Sequence, residues 1–209
     1  PMIDWVLDAA SGAGVEKFCV VTGYAHEQVE AHVKKRAQVR TVLQQPRLGT
    51  AHALMQAKEF LSECAGTQVL VMAGDSPFLS AQTIKGALAW HKQQGYAATI
   101  LTAKVADPAG YGRILRKDGL VAGIIEEKDA NSEQKQICEI NSSAYWFDAE
   151  KLLSVLDQIG NDNAQKEYLL TDAIALLIGA GHPVGAFTAE CADEVAGAND
   201  RYQLCLLGE

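Results

Sequence analysis

The apolar run Val69-Leu70-Val71-Met72-Ala73 ends abruptly in Gly74-Asp75-Ser76-Pro77, and no other stretch constrains the fold so tightly. A strand buried on both faces of a parallel sheet reads as such a run, not as an alternation. In open α/β sheets, ligands bind in the crevice beyond the carboxyl ends of the strands. Gly74 permits close backbone approach there, and Asp75 stands in the crevice as a bare carboxylate. That group suits Mg²⁺, which keeps most of its waters and bridges substrate phosphates. The plain alternative is a turn aspartate capping the next helix.

The segments around this strand alternate in period. Met2, Ile3, Val6, Leu7 and Ala10 have helical spacing, closed by Gly12 and Gly14. Lys17–Thr22 reads as a strand, His26–Lys35 as a helix with Val29 and Val33 facing in, and Val39–Leu43 as a strand. Thr50 can cap a helix reaching about Ser62, and Ser80 one reaching about Gln93; Ala97–Val105 is a strand. Such alternation predicts an α/β fold with a mostly parallel sheet and helices on both faces. The second half differs. Arg113–Arg116, the Asp118-Gly119 turn and Leu120–Glu127 predict a hairpin. A strand at Glu139–Phe147, helices at Ala149–Ile159 and Glu167–Ile178, a strand at Val184–Thr188 and a closing helix at Asn199–Leu207 complete the reading. No repeat, low-complexity stretch or linker interrupts it, so residues 1–209 are read as a single domain.

Composition excludes several classes. A net charge of −8 argues against a general nucleic-acid surface, so a phosphorylated ligand needs local cations or backbone N–H donors. The five cysteines are odd in number and scattered, which suggests neither a disulfide framework nor a zinc site. Cys19 and Cys138 fall in or beside apolar runs and are expected to be small core residues. No apolar run approaches the ~18 residues of a membrane span, and no signal peptide opens the chain. The expected compartment is the cytoplasm.

Several segments can carry chemistry. In Gln44-Gln45-Pro46-Arg47-Leu48-Gly49-Thr50-Ala51-His52-Ala53, Gly49 and Thr50 fall at a helix start, where free N–H groups favour anions or polar ligand atoms. Gln44 offers an amide that can match a base edge or simply be solvated, and His52 reads as a packing or capping residue. In Asp107-Pro108-Ala109-Gly110-Tyr111-Gly112-Arg113-Ile114, the two glycines make either a ligand-touching loop or a plain turn. Glu126 continues the alternation of Leu120, Ala122 and Ile124 and is expected on their face. Asn141 sits in an apolar-flanked strand and needs a partner, either a sugar hydroxyl or a neighbouring backbone group. Asn199, at a helix start, reads by itself as an N-cap.

Taken in order, the motifs Leu48-Gly49-Thr50-Ala51-His52-Ala53, Gly74-Asp75-Ser76-Pro77, Gly110-Tyr111-Gly112-Arg113-Ile114, Glu126 with Lys128-Asp129-Ala130, Glu139-Ile140-Asn141, Asn163–Tyr168 with Thr171-Asp172, and Glu194-Val195 with Gly197 and Asn199 resemble one family. This is the uridylyltransferase domain of the bacterial bifunctional enzyme that makes UDP-N-acetylglucosamine for cell-wall and lipopolysaccharide precursors. The resemblance implies a Rossmann-like, GT-A type nucleotide-diphospho-sugar transferase fold. It implies that Gln44, Gly49 and Thr50 hold the uracil and ribose, that Ala73, Gly74 and Asp75 lie along the nucleotide, and that Asp75 and Asn199 bind Mg²⁺. It implies that Gly112, Glu126 and Asn141 contact the N-acetylglucosamine, with Thr171 close by. The implied reaction is in-line attack of the phosphate of N-acetylglucosamine-1-phosphate on the α-phosphorus of UTP, releasing pyrophosphate. The attacking oxygen is already anionic, so alignment and charge neutralisation suffice without a protein nucleophile.

The chain departs from the family pattern at both ends. The family's N-terminal strand and Gly-rich, Arg- and Lys-bearing triphosphate loop would precede Pro1, and its left-handed β-helix acetyltransferase domain, which makes the family trimeric, would follow Glu209. The resemblance therefore implies a fragment of a longer, homotrimeric protein, folding poorly and turning over little alone. Within the chain, Glu127 replaces the usual His, and Ser142-Ser143 replaces the usual Thr-Gly, placing a Cβ near the sugar pocket. Two alternatives stand beside this reading: transfer to another sugar-1-phosphate, or a non-catalytic nucleotide-sugar binding domain.

Overall fold

The computed structural model describes residues 1–36 and 38–195. Helix α1 (Met2–Gly12) leads to strand β1 (Phe18–Thr22), helix α2 (His26–Val33) and strand β2 (Val39–Leu43). Helices α3 (Thr50–Gln56) and α4 (Lys58–Glu63) precede β3 (Gln68–Met72), then α5 (Ala81–Gln94) and β4 (Ala98–Lys104). The hairpin β5 (Arg113–Lys117) and β6 (Leu120–Ile125) is followed by the long β7 (Glu139–Asp148), α6 (Ala149–Leu156), α7 (Asp172–Gly179) and β8 (Val184–Thr188). No helix among the described residues is long and apolar enough to cross a membrane.

Strands β1 and β2 pair in parallel as a small sheet. The other strands form a six-stranded mixed sheet in the order β6-β5-β7-β4-β8, with β3 also bonded to β7. Because β3, β4 and β5 each run antiparallel to β7, and β8 runs parallel to β4, these four strands point the same way. The predicted mixed, mostly parallel α/β sheet is therefore observed, but β3 itself is bonded only to an antiparallel neighbour among the described strands. The apolar run could not reveal this, because burial on both faces erases the alternation that marks a strand's surroundings.

Side chains alternate across the sheet into two cores. Ile100, Tyr145 and Phe147 pack with Leu54, Leu61, Leu152, Leu156, Ile174 and Leu177 from α3, α4, α6 and α7. Leu101, Ala144 and Trp146 pack with Ile84 and Ala87 of α5 on the opposite face. Trp146 donates its indole N–H to Ile84 O at 3.0 Å, satisfying the one polar atom that ring carries into the interior. His91 of α5 is buried between β3 and β4, bonded to Gln68 Oε1 and Thr99 Oγ1.

Local chemistry explains the element ends. Ser80 caps α5 by accepting Thr83 N–H, and Asp148 caps α6 by accepting Lys151 N–H. Asp118 and Gly119, at φ 53° and 81°, turn the β5–β6 hairpin, as a two-residue turn with both residues left-handed requires. Several expectations need correction. The helix expected over Thr50–Ser62 breaks at Ala57 into α3 and α4. The helix expected from Glu167 begins only at Asp172, because Tyr168 bonds to Leu48 and Ala51 and Leu170 N–H to Thr50 Oγ1 at the start of α3. Thr50 does not cap α3: Gly49 occupies the N-cap position, and the Thr50 hydroxyl accepts Leu170 N–H. Cys138 is exposed and Cys19 only half-buried, so neither is a core residue.

Candidate active site

The expected residues gather in three places: beyond the carboxyl ends of β2 and of β3, and where the start of β5, the end of β6 and the start of β7 meet. The first is the crossing from β2 into α3. Gln44 Nε2 donates to Gly49 O at 2.9 Å and to His52 Nδ1 at 3.0 Å, leaving its Oε1 without a partner among the described residues. His52 thus positions the Gln44 amide, a role beyond the packing or capping its sequence position suggested. Gly49 has φ 112°, and a Cβ there would lie 2.5 Å from Tyr168 O, so only glycine fits. Ala51 N–H donates to that same Tyr168 carbonyl, so one donor of the α3 start is already used. A cleft of about 630 Å³ opens alongside, lined by Gly23, Tyr24, Gln44, Arg47 and Glu167, with the Arg47 guanidinium over the Tyr24 ring. None of the residues expected to touch sugar lines it.

The second place is the end of β3. Ala73 N–H donates to Ser143 O at 3.2 Å, and Ala73 O accepts Ser76 N–H. Beyond it Gly74 and Asp75 are exposed, with no atom near the Gly74 Cβ direction. Asp75 makes no hydrogen bond or ion pair among the described residues, and no set of three or more candidate metal ligands exists among them. A lone unpaired carboxylate fits Mg²⁺, which needs few protein ligands. Asn199, the expected second ligand, lies outside the described residues.

The third place brings Gly112, Glu126, Asn141 and Thr171 together from four segments. A Cβ on Gly112 would lie 3.5 Å from both Asn141 Cβ and Glu126 Oε2. Thr171 donates its hydroxyl to Glu126 Oε1 at 3.0 Å. Burial, reinforced by the charges of Asp172 and Asp129, pushes the Glu126 carboxyl above the usual carboxylate range despite that bond. Glu126 is not on the face of Leu120 and Ala122, as the alternation suggested. A bulge at Ala122–Gly123 reverses the strand, so Leu120 and Ala122 are exposed whereas Ile124 packs on the core beside Glu126. Asn141 finds its partners inside the protein: its Nδ2 donates to Tyr145 OH at 2.7 Å, and its Oδ1 accepts Ser143 N–H. One lone pair and one N–H remain for a ligand. Tyr145 was not legible as a site residue, since nothing in an apolar strand marks which ring reaches an amide.

A clamp holds the Gly110–Gly112 loop. Arg113 is buried and directs Nη2 to Glu127 Oε2 at 2.7 Å and Nη1 to Tyr111 O, while Glu127 also accepts Gly110 N–H. The Arg113 guanidinium holds the Glu127 carboxyl below its ordinary range. Glu139 belongs to structure: burial opposes its ionisation, yet its bidentate bond to Arg116 lowers its carboxyl pKa, and Thr102 donates to it as well.

Residues 1–193 match the family model described as Nucleotidyl transferase. The chain is 48% identical over 205 residues to a bifunctional protein GlmU of Pelotomaculum thermopropionicum, covering 98% of this chain and 44% of that protein. It is 42% identical over 205 residues to a bifunctional protein GlmU of Halalkalibacterium halodurans, with the same coverage. The chain thus spans less than half the length of these relatives. Among solved structures, it superposes with TM-score 0.77 and 18% identity on one from Bacillus anthracis assigned as a glucose-1-phosphate thymidylyltransferase in complex with a sucrose, covering 99% of this chain and 80% of that one. A UDP-glucose pyrophosphorylase complexed with UDP-glucose superposes with TM-score 0.70 and 17% identity, covering 90% and 79%.

Proposed function

Because the chain belongs to the nucleotidyl transferase family, we propose that it acts in uridylyl transfer from UTP to N-acetylglucosamine-1-phosphate, giving UDP-N-acetylglucosamine and pyrophosphate. The observation that carries this reading is one short segment of β7. Asn141 N–H donates to Gly112 O at 2.9 Å, and two residues on Ser143 O accepts Ala73 N–H. The expected sugar side and the expected nucleotide side are therefore joined by a continuous backbone, adjacent as a transfer between two bound substrates demands. The motif resemblance favours uridine and N-acetylglucosamine, whereas the two solved structures, both under 20% identical, speak to the fold alone.

In this reading Gln44 Oε1 and the Gly49–Thr50 backbone take the uracil and ribose. Glu126 and Asn141 accept and donate to hexose hydroxyls, with the Gly112 backbone as one wall. The attacking phosphate oxygen brings its own charge, so these residues align reactants and the pocket needs no base. Asp75 and Asn199 would hold Mg²⁺, which when bound neutralises part of the charge gathered on the transferred phosphoryl group.

The test is pyrophosphate release with UTP plus N-acetylglucosamine-1-phosphate, against glucose-1-phosphate and dTTP arms. It is run on the chain and on the chain preceded by a family-type N-terminal strand and loop, which we propose hold the triphosphate. The expected result is selective turnover with the first pair, faster in the extended chain. Equal turnover in all arms, or a preference for dTTP, would overturn the reading.

A further inference from the structure

Resting on the sugar-nucleotide reading above, the geometry points to Ser143 as a specificity-determining residue whose hydroxyl contacts the bound hexose. The register of β7 against β4 isolates it. Ile100 pairs with Tyr145 and Thr102 with Asn141, so Leu101 alone faces the three residues Ser142–Ala144. Such a bulge re-aims side chains. Ser142 turns inward and donates its hydroxyl to Leu101 O at 2.7 Å. Ser143 adopts φ 59°, a left-handed conformation a serine takes only under local constraint, and is exposed between buried neighbours.

The other flank of β7 shows where that exposed side chain stands. Strand β3 pairs only as far as Met72 opposite Ala144, and β5 begins with Arg113 opposite Ile140. Between these two ladders the edge of β7 is met only by single bonds, from Asn141 N–H to Gly112 O and from Ala73 N–H to Ser143 O, and Ser143 sits in that notch. Its N–H is bonded to Asn141 Oδ1 and its carbonyl to Ala73 N–H, so its backbone is fixed on the sugar side and on the nucleotide side together. Its hydroxyl makes no hydrogen bond among the described residues, although the polar side chains of Asn141 and Ser142 beside it are bonded. A rigidly placed, unpartnered hydroxyl at the join of the two subsites is a ready donor or acceptor for a ring hydroxyl of the hexose. It also narrows the pocket by a Cβ.

Titration calorimetry of the chain with UDP-N-acetylglucosamine and with UDP, before and after substitution, tests this. Ser143→Ala removes the hydroxyl alone. It should weaken UDP-N-acetylglucosamine about 3–10-fold, the size of one neutral hydrogen bond, and leave UDP unchanged. Ser143→Gly should show the same selective loss while melting about 1–4 °C higher, because glycine relieves the left-handed strain. The glycine variant carries the test if the alanine variant folds poorly. Unchanged affinity for UDP-N-acetylglucosamine, or an equal loss for UDP, would overturn the assignment. No preference for UDP-N-acetylglucosamine over UDP in the unsubstituted chain would overturn the sugar-nucleotide reading, and this assignment with it.

Discussion

Thr171 holds Glu126 by a 3.0 Å hydrogen bond between segments separated by the whole of β7 and α6. One residue before Thr171, Leu170 N–H is bonded to Thr50 Oγ1, and Tyr168 exchanges backbone bonds with Leu48 and Ala51. The short stretch Tyr168–Thr171 is thus a strap, gripping the start of α3 at one end and the Glu126 carboxylate at the other. Its position explains why α7 starts late: the backbone groups that would extend the helix toward its N-terminus are committed to the strap.

Glu126→Gln should separate binding from stability. The folded carboxyl has a pKa raised above its unfolded value, so its contribution to stability is present below the unfolded pKa and lost as pH rises through the folded one. At pH 7 the glutamine variant should melt at or above the parent temperature, since the amide still accepts from Thr171 and carries no buried charge. Its KM for the sugar phosphate should rise about 10- to 150-fold, as for loss of a charge-assisted hydrogen bond of about 1.5–3 kcal/mol. The parent's sugar-phosphate KM should also rise on acidification, starting above the ordinary glutamate range near ~4.3, and the variant should keep only the part of this dependence that comes from the phosphate monoester itself. A raised KM for UTP with an unchanged KM for the sugar phosphate would reverse the assignment of sides.

Asp75→Asn should leave the fold intact and remove most turnover. The carboxylate is exposed and unpaired among the described residues, so no structural bond is lost. What disappears is the charge that would hold Mg²⁺ beside the phosphates. Rates at saturating Mg²⁺ are the measurement, with thermal melting as control. Near-normal activity would remove Asp75 from the metal site.

Gly49→Ala should damage both stability and nucleotide binding, whereas Gly74→Ala should spare stability. At Gly49 the new Cβ meets the Tyr168 backbone at 2.5 Å from a left-handed φ of 112°; at Gly74 it meets nothing within 4 Å. Strain of this kind costs on the order of 1–3 kcal/mol, and its relief must shift either Gln44's anchor or the strap. Equal melting temperatures for the two variants would show that the α3 start is more plastic than its packing indicates.

Acid stability should depend on His91. Desolvation first, and then the nearby Lys92 charge, hold its imidazole pKa down to about 4 against an opposing pull from Asp148. Since the folded pKa lies below the unfolded value near ~6.5, stability present above that value is lost as pH falls toward about 4, by on the order of 3 kcal/mol. Carboxylates with lowered pKa values, such as Glu139 and Glu127, lose their contributions only at more acidic pH. Urea midpoints between pH 7 and pH 4.5 should therefore fall in the parent, and fall less in His91→Gln whatever its absolute stability. Parallel slopes would show that His91 takes up its proton without unfolding cost.

Much of this protein was legible in one dimension. The Asp118-Gly119 turn and the Ser80 cap depend on interactions within a few residues, and the hairpin and α5 appear where the pattern puts them. The helix read over Thr50–Ser62, by contrast, breaks at Ala57, the one read from Glu167 starts at Asp172, and the one read over Asn199–Leu207 lies outside the described residues. The apolar run closing in Gly74-Asp75 likewise announced a strand, and Gly74 and Asp75 beyond its end are exposed. Tertiary structure decided what joins what. No local pattern could tell that β3 would lie against the antiparallel β7, because a strand buried on both faces looks alike beside any neighbour. The bulge that turns Glu126 inward, the one that lifts Ser143 into the notch, and the strap from Thr171 to Glu126 arise from register and long-range hydrogen bonds. A two-residue mismatch in strand pairing changes nothing in the composition or periodicity of either strand, yet it decides which side chain is exposed between buried neighbours.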